Sequence, residues 1–115
     1  MNLELPKFDW GDEFEEYLES LTSEENSKMI AMIKAIQENG LQVASRKKWI
    51  DKLDKNLYEI RTQTNEVFLR GIYFQVKGNE YWVTHGFNKK KNKTPSKEIA
   101  RGKSLRRKYQ DREGK

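Results

Sequence analysis

Once along this chain the spacing of apolar residues switches, from the three-and-four rhythm of a helix to the alternation of a strand. From Asp12 onward Phe14, Tyr17, Leu18 and Leu21 fall on one helical face, with Glu13, Glu15, Glu16 and Glu19 near the first turns, where the helix dipole favours negative charge. Thr22-Ser23-Glu24-Glu25 reads as a capping box, and Met29, Ile30, Met32, Ile33 and Ile36 carry a second helix to a left-handed stop at Asn39-Gly40. So short a link predicts an antiparallel helix hairpin, whose apolar face needs a sheet to cover it. Residues 41–56 form a connector with room for a short helix, Arg46, Lys47, Lys48, Lys52 and Lys55 outside and Trp49, Ile50 and Leu53 as anchors. Beyond it, 57–63, 67–77 and 81–87 alternate and are rich in β-branched and aromatic residues. Turn signals at Thr64-Asn65-Glu66 and Lys77-Gly78-Asn79-Glu80 make them an antiparallel three-stranded meander. Ahead of the first helix, Leu3, Leu5 and Phe8 around Pro6 predict a short edge strand or an irregular lead-in.

The expected fold class is therefore α+β, an N-terminal helix hairpin packed on a small twisted antiparallel sheet. With 115 residues and 35% hydrophobic content there is material for one modest core, hence a single domain over 1–115. The absence of cysteine excludes disulfides, thiolate chemistry and Cys-ligated metals. Apolar runs fall far short of the ~18 residues of a membrane span, and the acidic N-terminal stretch is unlike a signal peptide. A cytoplasmic protein without membrane contact is expected. No His/Asp/Glu group has ligand spacing, so neither metal nor other cofactor is expected.

Charge is graded along the chain. Residues 1–27 carry nine acids and one lysine (−8), 28–84 ten bases and six acids (+4), and 85–115 twelve bases and three acids (+9). A basic end of this kind is the footprint of a phosphate-rich partner, or else a solvated tail or a surface for an acidic protein. The densest part is Thr84–Pro95, where a strand leaves through Phe87 and releases Lys89, Lys90, Lys91 and Lys93 into a loop. There Thr94 reads as a helix cap with Pro95 at the first position, ahead of a basic C-terminal helix with Ile99, Leu105 and Tyr109 as its apolar stripe. Gly102 inside that helix predicts a bend or a close approach to its backbone.

Turn positions set the strand register. Closing the first hairpin at Asn65-Glu66 places Arg61 across from Arg70, and closing the second at Gly78-Asn79 places Phe87 across from Arg70 and His85 across from Ile72. Glu59, Arg61, Arg70, His85 and Phe87 then share one face, and Tyr58, Ile60, Leu69, Tyr73 and Trp82 the other. Like charges opposed on neighbouring strands repel, so the two arginines look prepared for a phosphate unless carboxylates pair them off.

The runs Leu57-Tyr58-Glu59-Ile60-Arg61, Arg70 with Ile72-Tyr73-Phe74, His85-Gly86-Phe87-Asn88-Lys89-Lys90, and Thr94-Pro95 with Glu98-Ile99-Ala100 resemble the RelE/HigB superfamily of bacterial toxins, in particular its phage-derived HigB branch. The resemblance covers residues 12–109. It implies a RelE-like fold and a ribosome-dependent endoribonuclease (an mRNA interferase) that inhibits translation. It also implies a helix-turn-helix, HigA-like antitoxin, with the toxin meeting operator DNA only through that partner. Gly102 and the basic tail beyond Tyr109 depart from the pattern.

Cutting RNA without a metal needs a base for the 2′-hydroxyl, cations for the phosphate and an acid for the leaving oxygen. Arg61 and Arg70 are candidates to hold the phosphate, with Lys89 and Lys90 completing the cradle. Lys89 or Lys90, crowded by cations, and Glu59 are candidates for proton exchange. His85 is a further candidate, or a core residue at the strand end. Phe87 is a candidate platform for a base, with Lys91, Lys93 and Arg101 as RNA contacts. The antitoxin either neutralises the lysine loop with an acidic segment or grips the helix hairpin, where Phe8, Trp10, Phe14 and Tyr17 are candidate anchors. The competing function is a non-catalytic nucleic-acid-binding module, or a phage protein that keeps the fold without the activity.

Overall fold

A computed structural model describes residues 5–113, so Leu3 lies outside the described residues. Its elements are β1 (Lys7–Trp10), α1 (Asp12–Ser20), α2 (Ser23–Asn39), α3 (Leu41–Arg46), β2 (Ile50–Asp54), β3 (Leu57–Gln63), β4 (Phe68–Lys77), β5 (Glu80–Lys89) and α4 (Ser96–Arg112). The class is α+β. Among the described residues the sheet has five strands in the order β1-β5-β4-β3-β2, with β1 parallel to β5 and the other pairs antiparallel. The expected three-stranded meander is thus the centre of a mixed sheet. The edge strand ahead of α1 is present as β1. The connector holds, besides its short helix α3, a strand the alternation did not reveal: Asp51, Lys52 and Asp54 keep β2 exposed on an edge.

The two N-terminal helices form where local signals place them. Thr22 Oγ1 accepts from Glu25 N–H at 3.1 Å, and Glu25 Oε1 accepts from Thr22 N–H at 3.0 Å, closing the capping box. Gly40, at φ 91°, ends α2. The helices do not pair along their length as a hairpin would. Each leans on the sheet instead, α1 mainly on β5 and α2 on β3, because Phe14, Leu18, Met29, Ile33 and Ile36 bury against Ile60, Leu69, Tyr73 and Val83. On the opposite face α4 covers Leu57, Ile72, Phe74 and Phe87 with Ile99 and Tyr109.

Gly102 is where α4 comes closest. A methyl group built there would stand 2.8 Å from Ile72 Cγ2 and 3.4 Å from the Leu57 side chain, so close approach, not a bend, explains the glycine. Gly102→Ala gains about 1 kcal/mol of helix propensity and meets an overpacking cost of about 1–3 kcal/mol. The net loss is about 1 kcal/mol at the middle of that range, and a melting point lower by about 4–8 °C is expected in a thermal scan; a higher one would contradict this packing.

The expected register holds at the centre, where Arg61 faces Arg70, Arg70 faces Phe87 and Ile72 faces His85. Past Ile72 a bulge shifts the β4–β5 pairing, so that Tyr73 faces Val83 and Thr84 is the extra residue. One residue of slip reverses a side chain's face. Trp82 accordingly does not join Tyr58, Ile60, Leu69 and Tyr73, as expected, but packs against Tyr109 of α4 with ring centroids 4.6 Å apart. Among the described residues no helix is long and apolar enough to cross a membrane.

Candidate functional site

Strands β3, β4 and β5 bring Glu59, Arg61, Arg70 and Lys89 together on the α4 side of the sheet, at the end where β5 runs into the lysine loop. Arg70 is 2% exposed, while the Arg61 side chain keeps 22% of its surface in contact with solvent. One carboxylate serves both cations: Glu59 Oε2 lies 3.7 Å from Arg61 Nε, and Oε1 lies 3.7 Å from Arg70 Nε. These are ion-pair distances, too long for hydrogen bonds. Arg70 Nη1 donates to the carbonyls of Thr62 at 3.2 Å and Leu69 at 3.1 Å, and its guanidinium carbon lies 5.2 Å from the centre of the Phe68 ring.

Glu59 is only 3% exposed, so it is reached through its neighbours. The Thr94 hydroxyl donates to Glu59 Oε1, and Lys89 Nζ donates to Thr94 Oγ1 at 3.3 Å. Thr94 therefore spends its side chain on the sheet and does not cap α4, whose N-cap is Pro95 with no side-chain hydrogen bond. Burial, followed by repulsion from Arg70 and, less, Arg61, brings the Lys89 ammonium down to about 8 against the pull of Glu59. Burial also presses the Arg70 guanidinium below its ordinary value, opposed by Glu59, but a guanidinium stays charged in proteins. Lys90, Lys91 and Lys93 are exposed on the loop, and Arg101 is exposed on α4.

His85 is not part of this cluster. It is 1% exposed, with Nδ1 2.9 Å from Thr84 Oγ1 and Nε2 3.0 Å from Glu98 Oε1. Burial lowers its pKa despite the Glu98 carboxylate. The ring ties α4 to β5, with both its nitrogens engaged by Thr84 and Glu98 rather than by the arginine cluster. Phe87, 9% exposed, packs in the core beneath α4, the buried-aromatic alternative to a platform for a base. Phe68, which the sequence reading passed over, is half-buried beside the arginines.

Of the aromatic anchors on the front of the chain, Phe14 is fully buried and offers a partner no surface; its place is in the core. Phe8, Trp10 and Tyr17 are half-buried. Tyr17 lies on the backbone of Gly86, where a Cβ would stand 2.3 Å from its ring, and its hydroxyl donates to Asn88 Oδ1 at 2.7 Å. Two polar residues join the cluster without a local sequence signal for it. The local sequence marks Thr94 only as a cap. Asn92, the one uncharged side chain between Lys89 and Lys93, accepts at Oδ1 from Nη2 of both Arg61, at 2.7 Å, and Arg70, at 2.5 Å.

Residues 16–107 match the family described as phage-derived protein Gp49-like (DUF891). The chain belongs to that family. It is a family of RelE/Gp49-type toxins. The matched span of this Gp49-like chain takes in Glu59, Arg61, Arg70, Lys89, Asn92 and Thr94, and leaves Phe8, Trp10 and Phe14 ahead of it. No curated protein matches it. Among the described residues no group of three or more His, Asp or Glu side chains is placed to hold a metal ion.

Proposed function

We propose that this Gp49-like protein is the toxin of a toxin–antitoxin pair, of the HigB branch, and a metal-independent endoribonuclease that cleaves messenger RNA on the ribosome and so inhibits translation. The observation that carries this reading is the meeting of Arg61, Arg70 and Lys89 around a single carboxylate beside the lysine loop. That cluster holds three cations against one anion, an arrangement suited to a phosphate passing through extra negative charge. Arg61 and Arg70 hold the non-bridging oxygens, and Lys89 gives a proton to the leaving 5′-oxygen. Thr94 and Glu59 keep the ammonium in place. The 2′-hydroxyl passes its proton through the Thr94 hydroxyl to the Glu59 carboxylate as its oxygen attacks phosphorus in line, leaving a 2′,3′-cyclic phosphate and a 5′-hydroxyl protonated by Lys89, and the ribosome contributes by fixing that conformation. Lys90, Lys91, Lys93 and Arg101 follow the RNA backbone. A helix-turn-helix, HigA-like antitoxin acts against Phe8, Trp10 and Tyr17 on the front of the chain, and carries the pair to operator DNA.

Purified protein added to a translating extract is expected to leave message fragments with 2′,3′-cyclic phosphate ends. Lys89 as the acid must be protonated, so the rate is expected to fall as pH rises through about 8. Lys89→Arg, which cannot release a proton, keeps binding and loses the rate. Uncut message, together with undisturbed growth when this chain is expressed alone, would sink the nuclease reading. A non-catalytic RNA-binding module is the second reading, favoured by the burial of His85, which leaves the cluster without a histidine. It is recognised by binding without cutting.

A further inference from the structure

The arginine pair is occupied by a piece of the chain itself. Asn92 Oδ1 bridges Nη2 of Arg61 at 2.7 Å and Nη2 of Arg70 at 2.5 Å. Two cations converging on a single acceptor is the arrangement ordinarily given to an anionic oxygen, and a neutral amide oxygen makes the weaker bonds. Glu59 does not make up the difference: its oxygens stay 3.7 Å from both Nε atoms while it accepts from Thr94. Arg70 Nε is left as the one buried side-chain polar atom among the described residues without a hydrogen-bond partner. Such atoms are rare in folded proteins and costly. Asn92 itself is exposed, on the loop between β5 and α4. With Lys48, Arg61, Gln63, Phe68 and Arg70 it lines an open cleft of 180 Å³.

We propose that Asn92 is an internal stand-in for a phosphate oxygen, holding Arg61 and Arg70 together in the free chain and leaving them when a phosphodiester enters the cleft. A phosphate brings two charged oxygens in the fork geometry guanidiniums favour, where Asn92 brings one neutral oxygen, so the exchange runs toward the ligand. It remains a competition. The amide lowers the affinity of the pair for isolated phosphate groups and restrains the loop from holding polyanions that make no further contacts. The identity of the ligand as a phosphodiester rests on the function proposed above; the competition for the arginines does not depend on cleavage.

The test titrates inorganic phosphate into the full-length chain at pH 7 and follows the Nε–Hε signals of Arg61 and Arg70 by NMR. Asn92→Ala is expected to bind phosphate about threefold to tenfold more tightly than the parent, the worth of the lost competing hydrogen bonds. Asn92→Asp, whose carboxylate holds both arginines more firmly, is expected to bind at least about tenfold more weakly. Asn92→Ser, too short to bridge the pair, serves as a second loosened variant and is expected to follow the alanine. Equal, weaker or undetectable phosphate binding by both shortened variants overturns the proposal. If RNA stays uncut by every variant while the affinities keep this order, only the nuclease reading has failed.

Discussion

For the nuclease activity proposed above, a chain carrying Arg61→Ala together with Lys89→Ala is expected to cut RNA at least about 10⁴-fold more slowly than the parent and to fold as well as the parent does. Removing one donor aimed at developing negative charge costs about 10²–10³ in rate, and removing a positioned acid about 10²–10⁴. Groups that act as a unit do not lose their effects independently, which argues for the lower end of the product. The fold should survive because Arg61 is part-exposed, Lys89 is half-buried, and neither stands in an apolar cluster. Lys28→Ala with Lys34→Ala, two exposed positions on α2 across the sheet, removes the same net charge and is the matched control. Rates are read on defined message in a translating extract, and fold by circular dichroism. A double variant that still arrests growth as strongly as the parent would remove the cradle from the mechanism. A control that loses as much rate would assign the effect to overall charge.

Phe14→Ala is expected to lower the free energy of unfolding by about 3–5 kcal/mol, the usual cost of emptying a phenylalanine site in a packed core. The ring is fully buried, with the Trp10 ring centroid at 5.2 Å and that of Tyr17 at 5.6 Å. It also fills the space over Gly71, whose missing Cβ would lie 3.4 Å away. Against a total stability of about 5–15 kcal/mol for a domain of this class, the loss is large enough to leave part of the protein unfolded at growth temperature. Urea denaturation gives the number directly. A loss under about 1 kcal/mol, with intact folding, would mean that Phe14 is an exposed anchor and that α1 is not docked on β5.

Phe14 also illustrates where reading along the chain stops. The apolar face of α1 carries the same residues whether it is to meet a sheet or a partner, and only the position of β5 decides that Phe14 is inside while Phe8, Trp10 and Tyr17 keep some surface. His85 and Phe87 are similar. Their alternation on β5 was legible, and so was the face they share with Arg70, but the arrival of α4 over that face turned both into interior groups. Thr94 looked like a helix cap because its neighbours in sequence are Pro95 and a helix. Its actual partner, Glu59, lies 35 residues back, and nothing local to either residue announces the other.

What the sequence by itself determined is what short-range chemistry controls: the capping box at Thr22, the stop at Gly40, the two hairpin turns, and therefore the meeting of Arg61 with Arg70 across β3 and β4. Turn position sets register, and register sets which side chains share a face, so the core of the cationic cluster could be placed without coordinates. Only the tertiary structure decided that Asp51 and Lys52 belong to an edge strand, that a bulge at Thr84 turns Trp82 over, and that Asn92 reaches back to both arginines. Each of these depends on segments far apart in the chain arriving at one place. Such contacts are chosen by the burial of whole faces against one another, which no short window of residues contains.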